Sequence, residues 1–446
     1  MNRDLPQDFH LPANLRYDCV RCGRGCTDFW EVPVDGASVE RLRAFDLQAA
    51  LPEDAPPGPA FADSPFTPGQ TVIRRKGCEC VFLTKDRLCA LHSKHGPEAK
   101  PQNCLDFPFR YSETPSGVYV GLSFACTAVL QDEGRPVASA DRRAELAANY
   151  RDSVHVRSDM DRPRLTRPLP IDFAAYAAIE DALDAIMAVA ERPLTERLLA
   201  QSAFLDIVVR AFEAARDERA GASLNIGERD AARRATDEAL AEALVARYGA
   251  SGWEKCFALG ARARSAPSLH RAFLGLMTTF RQALGRDASR ARALWYILTR
   301  YAAHASRFGK IKLQPLEGRF GYGDFRRVHL DLSPGTYADR LLTRYFRHVL
   351  FRKDLLLSES VWAAHRFMLL HFALVRWYLV AHAINKGLDA PDEECVREAV
   401  RNVEQYFVHH STFTRFFESQ ALLGLLLDTA IANPRYAGSM VHPPVT

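Results

Sequence analysis

The pattern of apolar and polar positions changes near residue 150 of this 446-residue chain. Before that point Pro and Gly recur, most densely over 51–70, and apolar residues keep no regular period for long. After a proline-broken stretch at 161–172, apolar residues recur at the i, i+3, i+4 spacing of helices that bury one face. The pattern predicts a mainly α protein, in which a loop-rich N-terminal domain with short strands, 1–150, precedes an α-helical bundle domain, 151–446.

Capping and breaking residues divide the helical part into separate helices. Asp172 is a typical N-cap residue, and Pro193 separates the helix that follows it from a second one. Asp392 and Ser411 are predicted to cap two later helices. Further helices are predicted near 228–248, 267–284, 288–307, 335–353, 359–386, 392–409 and 412–431. The stretch 309–332 alternates between apolar and polar residues, which predicts a hairpin.

The N-terminal domain contains too little regular structure to be stabilised by packing alone. Its clearest extended run is GVYVGLSF at 117–124, which lies between turns. A bound metal could supply the missing stability, because formation of a metal site and folding are linked.

Composition and charge restrict the class of protein. Hydrophobic residues make up 48% of the chain, which is enough to fill real cores, and the net charge of +4 indicates no dedicated nucleic-acid surface. The start of the chain has no apolar run typical of a secretory signal, so a cytoplasmic location is expected. The most apolar stretch, 367–384, contains His371, Arg376 and His382, and is therefore predicted to be a buried helix and not a membrane span.

Cysteine placement is the most informative feature of the sequence. The chain has ten cysteines, and only Cys256 and Cys395 lie in helical surroundings. The other eight lie in the N-terminal domain: Cys19, Cys22, Cys26, Cys78, Cys80, Cys89, Cys104 and Cys126. In a reducing compartment clustered thiols are better candidates for metal ligands than for disulfides. All eight are therefore candidate metal ligands.

The spacing of these cysteines is compatible with zinc or with an iron–sulfur cluster. The first three follow C-x2-C-x3-C, so one short loop could supply three thiolates while distant segments complete the shell. The later ones follow C-x1-C-x8-C and then occur singly, unlike the paired C-x2-C knuckles of a zinc ribbon. The order of the triple is also the reverse of the C-x3-C-x2-C typical of radical S-adenosylmethionine enzymes.

Five blocks in a fixed order carry a resemblance to a known family. They are CVRCGRGC, WEVPVD at 30–35, CVFL with RLCALH, KPQNCLDFP at 100–108 and LSFACTAVL at 122–130. This succession resembles the CxxCxxCC cysteine-cluster family of zinc- or iron-chelating domains, which includes the flagellin lysine N-methylases. The resemblance covers roughly residues 15–130.

The resemblance assigns metal-binding positions to seven of the cysteines: Cys19, Cys22, Cys26, Cys80, Cys89, Cys104 and Cys126. The chain departs from the family pattern at three positions. Gly25 stands where the family has a second adjacent cysteine, and Thr127 stands where the methylases tend to have proline. Cys78 is additional, and it could compensate in space for the cysteine that is missing beside Cys26.

For the methylase branch the resemblance implies methyl transfer from S-adenosylmethionine to a protein lysine, such as one of flagellin, with the help of an iron–sulfur cluster. A [4Fe–4S] cluster is favoured. No Gly-rich loop between strand and helix marks a Rossmann-type donor site, so the cluster itself is expected to bind the donor. No catalytic residue can be assigned. Two alternatives remain: a non-enzymatic protein that chelates zinc or iron, and an interaction scaffold whose loops are held by zinc.

Other polar residues are weaker candidates. Arg110 could bind a cofactor by balancing the charge of a cluster or clamping a carboxylate, although a surface salt bridge explains it equally well. His92 and His95 could add nitrogen ligands beside Cys89, but exposed loop histidines are the commoner explanation. His371 and His382 are expected to make polar contacts within the bundle.

Overall fold

The computed structural model describes most of the chain: residues 8–27, 31–64, 69–219, 226–284, 295, 310–313, 315, 316, 318–321, 323–408 and 429–442. The protein divides into two compact units, Met1–Met160 and Asp161–Thr446. The division therefore falls after the helix Ala140–Asp152, which runs across the boundary expected at residue 150. About 52% of the protein is helical, which confirms the mainly α class.

The N-terminal unit combines short helices with short strands. Its helices are α1 (Gly36–Leu42), α2 (Ala90–His95), α3 (Gln102–Asp106), α4 (Thr127–Gln131) and α5 (Ala140–Asp152). Its strands are β1 (Phe9–His10), β2 (Phe61–Asp63), β3 (Thr71–Ile73), β4 (Arg75–Lys76), β5 (Glu79–Cys80), β6 (Phe109–Thr114), β7 (Gly117–Leu122) and β8 (Val156–Arg157). The longest helix of its described part, α5, has 13 residues, in agreement with a loop-rich domain.

A four-stranded sheet, in the order β1-β7-β6-β8, forms one core of this unit. Strands β6 and β7 make an antiparallel hairpin from Phe109↔Leu122 to Thr114↔Gly117, and β1 and β8 add in parallel at the two edges. Gly117 has a φ of 115°, and a Cβ atom there would lie 2.5 Å from the Asp8 carbonyl oxygen. Only glycine therefore allows β7 to begin this close to the residue before β1. The extended run predicted at 117–124 corresponds to β7.

A second core of this unit lies under two small hairpins, β2–β3 and β4–β5. It is built from fully buried aliphatic and aromatic side chains, among them Val81, Phe82 and Leu83. Cys80 belongs to this core, and further cysteines pack against it.

The C-terminal unit is a helical bundle with two hairpins. Its helices are α6 (Phe173–Met187), α7 (Leu194–Arg219), α8 (Ile226–Gly249), α9 (Glu254–Gly260), α10 (Pro267–Leu284), α11 (Tyr337–Phe351), α12 (Val361–Asn385), α13 (Glu393–Val403) and α14 (Tyr436–Val441). A π-helical turn, Glu404–Val408, continues α13. The strands are β9 (Arg164–Thr166), β10 (Leu169–Pro170), β11 (Lys310–Lys312) and β12 (Arg319–Gly321).

The predicted caps explain where several of these helices begin. The Asp172 carboxylate accepts a hydrogen bond from the Ala174 N–H at the start of α6, and Asp392 does the same for the Cys395 N–H in α13. Strands β11 and β12 form an antiparallel hairpin within the predicted stretch 309–332. The helices predicted at 288–307 and 412–431, and the predicted cap Ser411, lie outside the described residues, apart from residue 295 and residues 429–431.

Helix α12 is the central apolar helix of the C-terminal unit. Among the described helices it is the one long and apolar enough to cross a membrane, yet 72% of its most apolar window is buried inside the protein. Such burial is typical of the core helix of a bundle. The predicted assignment of 359–386 as a buried helix agrees with this position.

Buried ion pairs fix the register between helices of this unit. The Arg352 guanidinium contacts both oxygens of Glu404, and its side chain and that of Glu404 are 1% and 0% exposed. Lys353 pairs with Glu180, and Arg197 with Asp339, again with both side chains buried. Burying these charges costs free energy, so each is tolerated only because its partner is in place.

Removal of the guanidinium in Arg352→Ala should therefore lower the free energy of unfolding by about 3–5 kcal/mol, because Glu404 would keep an uncompensated buried charge. Urea denaturation followed by the helical circular dichroism signal measures this loss. Arg347→Ala is the matched control, since Arg347 pairs with Asp184 at a site where both side chains are 36% exposed. The control should cost at most about 1 kcal/mol. Equal losses in the two variants would contradict the role given to the buried pair.

Candidate metal centre

A tight turn positions Cys26. The turn, Arg24–Cys26, is closed by a hydrogen bond from the Cys26 N–H to the Gly23 carbonyl (3.0 Å). Gly23 has a φ of 64°, and a Cβ atom there would lie 2.7 Å from the Arg87 carbonyl oxygen. Only glycine therefore lets the turn approach the loop that leads to Cys89.

Two β-bridges bring Cys80 and Cys89 to the same region. Thr27 pairs with Glu79 in an antiparallel bridge, so the neighbouring residues Cys26 and Cys80 lie opposite each other. Leu83 pairs with Cys89. The Ala90 N–H then donates to the Phe82 carbonyl (2.8 Å), which holds the start of α2 against the chain after β5. Each cysteine is thus placed by backbone pairing and not by the packing of a long helix.

Polar side chains of α1 position the segment that carries Cys104. The Asp35 carboxylate caps α1 and accepts hydrogen bonds from the N–H and hydroxyl of Ser38. The Ser38 hydroxyl accepts from the Gln102 N–H (3.0 Å), and Arg41 donates to the Lys100 carbonyl (2.8 Å). The WEVPVD and KPQNC blocks of the sequence are therefore linked through α1.

These contacts gather four cysteines, which we call the four-thiol group: Cys26, Cys80, Cys89 and Cys104. Cys80 is part of the second core, and the other three pack against that core. Burial, reinforced by the nearby thiol of Cys89, raises the pKa of the Cys26 thiol to about 11 and that of Cys80 to about 12. Burial also raises the pKa of Cys104 well above its usual value. The four thiols are thus close enough for their charges to interact.

Lys100 is a cation that faces this group, and the sequence analysis did not single it out. Its positive charge acts to lower the pKa of both Cys26 and Cys104, against the larger effect of burial. The sequence signal for Lys100 was its place in the KPQNC block, four residues before Cys104. Ser38 and Arg41 were missed as well, because their role depends on contacts distant in sequence.

The remaining cysteines of the opening and last blocks form a second set, which we call the three-thiol group: Cys19, Cys22 and Cys126. Burial, reinforced by the charges of Cys22 and Cys19, raises the pKa of Cys126 to about 11. The Cys22 thiol contacts the Thr127 hydroxyl at 3.3 Å. Tyr17 also lies here, since burial and then the charges of Cys126 and Cys19 raise the pKa of its phenol.

An ion-pair network holds the segment that leads to Cys19. The Asp18 carboxylate binds the guanidinium groups of Arg135 (3.0 Å) and Arg142 (2.6 Å). The Tyr17 N–H donates to the Arg135 carbonyl (2.9 Å), which joins the two segments by their backbones as well. Hydrogen bonds from Arg135 keep the pKa of Asp18 low, at about 2, so the network stays charged near neutral pH.

Cys78 and the two histidines belong to neither thiol group. Cys78 is exposed in the tight turn between β4 and β5. His92 is exposed on α2, whereas the ring of His95 lies 5.5 Å from that of Phe45, and its Nε2 atom is buried with no hydrogen-bond partner among the described residues. Cys26 packs against the second core, and the charges of Cys22 and Cys19 also raise its pKa, so the opening triple connects the two groups.

Arg110 lies on β6, where its positive charge adds to the effect of burial in lowering the pKa of His155 to about 4. His155 in turn hydrogen-bonds the Asn103 side chain, next to Cys104. The cation whose charge reaches the thiols of Cys26 and Cys104 is Lys100. The charge-balancing role considered for Arg110 is thus better matched by Lys100.

The structure also shows the surroundings of Gly25 and Thr127, two of the three positions at which the chain departs from the pattern of the family it resembles. A Cβ atom on Gly25 would lie 3.2 Å from the Phe107 ring, so a cysteine there would require that ring to shift. Thr127, at the first position of α4, uses its hydroxyl to contact the Cys22 thiol.

The other candidates of the sequence analysis lie in the C-terminal unit. The rings of His382 and Tyr378 are 6.5 Å apart, and Asn402 contacts the His382 Nε2 atom at 2.8 Å. Burial lowers the pKa of His371 to about 4. Cys256 and Cys395 are fully buried in helices α9 and α13.

The arrangement of possible metal ligands and the comparisons with known proteins both bear on the site. In the described part of the chain, no three His, Cys, Asp or Glu side chains lie close enough together to hold a single metal ion. No protein-family model, curated protein or solved structure matches the chain. The function is therefore argued from the two thiol groups themselves and from the sequence resemblance.

The thiols should differ strongly in reactivity when the protein is free of metal. Cys19 and Cys78 are exposed and should be alkylated first. Cys80 should react on the order of a thousandfold more slowly than an ordinary thiol near neutral pH, because burial raises its pKa to about 12 and the thiolate is the nucleophile. Mass spectrometry of tryptic peptides after short exposure to iodoacetamide gives the order. Equal labelling of Cys78 and Cys80 in folded protein would contradict this placement.

Proposed function

We propose that the N-terminal unit binds a metal cluster through the four-thiol group. The observation that carries the proposal is the convergence of Cys26, Cys80, Cys89 and Cys104, from four separate segments of the chain, on one core. Four thiolates are the usual ligand set of an iron–sulfur cluster and of a structural zinc ion. Cysteines that served only as small apolar residues would not require backbone pairing to bring them together.

We favour an iron–sulfur cluster over zinc, because the cysteines do not follow the paired C-x2-C knuckles of a structural zinc site. In a cluster each thiolate binds a different iron atom, so the four ligands lie further apart than around a single zinc ion. The positive charge of Lys100 would offset part of the negative charge that such a cluster carries.

The three-thiol group supports a second candidate function, methyl transfer from S-adenosylmethionine to a protein lysine. Cys19, Cys22 and Cys126 supply three thiolates, and a hydroxyl, that of Thr127, stands beside Cys22. Bound to a [4Fe–4S] cluster, these three thiolates would leave the fourth iron atom without a protein ligand. The amino and carboxylate groups of the methyl donor are suitable ligands for that iron atom. A lysine of a partner protein, such as flagellin, is the substrate that the sequence resemblance implies.

A non-enzymatic role remains the alternative. A protein that only chelates zinc or iron, or a scaffold whose loops are held by zinc, needs the four-thiol group but no open coordination position. Donor binding therefore separates the two functions, and metal identity separates an iron–sulfur protein from a zinc scaffold.

The metal-binding proposal predicts the effect of removing one ligand. Protein purified without oxygen should contain iron and sulfide and absorb visible light, and Cys104→Ala should lose the iron and sulfide held by the four-thiol group, because that group would lack a ligand. Cys256→Ala is the control, since that thiol is fully buried in the other unit. Metal analysis and a visible absorption spectrum of the three proteins give the result. Stoichiometric zinc without iron would favour the scaffold, and no bound metal in any of them would reject the proposal.

The donor-binding proposal predicts a change at the three-thiol group alone. Calorimetric titration of iron-loaded protein with S-adenosylmethionine should give one binding event per chain, accompanied by a change in the visible spectrum. Cys126→Ala should abolish the heat, whereas Cys78→Ala should keep it, because Cys78 is exposed outside both groups. Equal heats for the wild type and Cys126→Ala would remove the methyl-transfer function and leave metal binding standing.

A further inference from the structure

A cavity of about 420 Å³ opens within the C-terminal unit. Helix α7 forms one wall with Ser202 and Asp206, and the end of α9 and the turn after it form another with Arg262 and Arg264. Arg366 of α12 and Arg435, just before α14, complete the polar lining, and the remaining lining is apolar. The volume falls within the usual range for small-molecule sites, and the mixed lining is typical of them.

Close backbone contacts hold these walls in place. A Cβ atom on Gly260 would lie 2.9 Å from the Ala200 nitrogen, so α9 packs directly on α7. On the other side, the Ser439 hydroxyl accepts a hydrogen bond from the Ala266 N–H (2.8 Å), which fixes the turn after α9 to α14. The arginines therefore project from a scaffold that is already formed, which limits the ordering that a ligand would have to induce.

The four arginines differ in how their charges are balanced. Arg366 is buried, donates to both Asp206 oxygens (2.8 and 3.0 Å) and to the Ser202 hydroxyl (2.7 Å), and is thus neutralised. Arg262, Arg264 and Arg435 are exposed, and none of the three has an ion-pair or hydrogen-bond partner for its guanidinium group within the described chain. The cavity mouth therefore carries three uncompensated positive charges and no uncompensated carboxylate among its lining residues.

We propose that this cavity binds a small organic anion with at least two phosphate or carboxylate groups. Guanidinium groups match both kinds of anion with paired hydrogen bonds, and three of them around one opening suit a ligand with more than one charge. The apolar lining would contact the uncharged part of the ligand. The proposal does not depend on the metal-binding function, because every residue involved belongs to the C-terminal unit.

Calorimetric titration of the full-length protein at low ionic strength tests the site with pyrophosphate, citrate and inorganic phosphate. Pyrophosphate or citrate should bind at one site per chain and more tightly than inorganic phosphate, and the affinity should fall as salt is added. Stronger binding of pyrophosphate would identify the ligand as a phosphate compound, and stronger binding of citrate as a polycarboxylate. Arg264→Gln and Arg435→Gln should each weaken binding by at least about tenfold, since each removes a charge-assisted contact.

Arg319→Gln is the matched control, because Arg319 is exposed on β12, outside the cavity, and its loss changes the net charge equally. All three substitutions are at exposed positions, so circular dichroism should show unchanged folding. No saturable binding of pyrophosphate or citrate at millimolar concentration would overturn the proposal. An equal loss of affinity in Arg319→Gln would also overturn it, because it would show attraction to net charge only.

Discussion

The burial of thiols from four separate segments of the chain is the constraint on which the N-terminal unit depends. Cys26, Cys80, Cys89 and Cys104 end on one core although little regular structure connects them. Their charges interact, and burial disfavours the thiolate form of Cys26, Cys80 and Cys104, so the group is held either as protonated thiols or by a bound cation. A bound metal would stabilise the buried thiolates and so couple metal binding to the folding of the unit.

The rest of the N-terminal unit can be understood as support for that group. Gly23 permits the close approach of two loops, and α1 uses Ser38 and Arg41 to hold the segment before Cys104. The helical unit follows a different principle. It is stabilised by long apolar helices and by buried ion pairs such as Arg352–Glu404, and needs no metal to explain its packing. The two units should therefore respond differently to chelators.

The sequence predicted the features that depend on local pattern. The caps at Asp172 and Asp392, the hairpin around β11 and β12 and the buried helix α12 all follow from capping residues and apolar periodicity. The packing of Cys26 on the second core did not follow, because C-x2-C-x3-C spacing does not say which way each side chain turns. Lys100 was missed for a similar reason, since its effect on Cys26 depends on a contact between distant loops. The arginine-lined cavity joins residues from four segments, and no local motif marks it.

The metal-binding account and the placement of the thiols can be tested in a single experiment. Crystals of protein purified without oxygen would be measured at the iron and zinc absorption edges, and anomalous difference maps calculated for each. The account predicts an iron peak bounded by the sulfur atoms of Cys26, Cys80, Cys89 and Cys104. A peak bounded by other side chains, or no anomalous peak near these four cysteines, would contradict it.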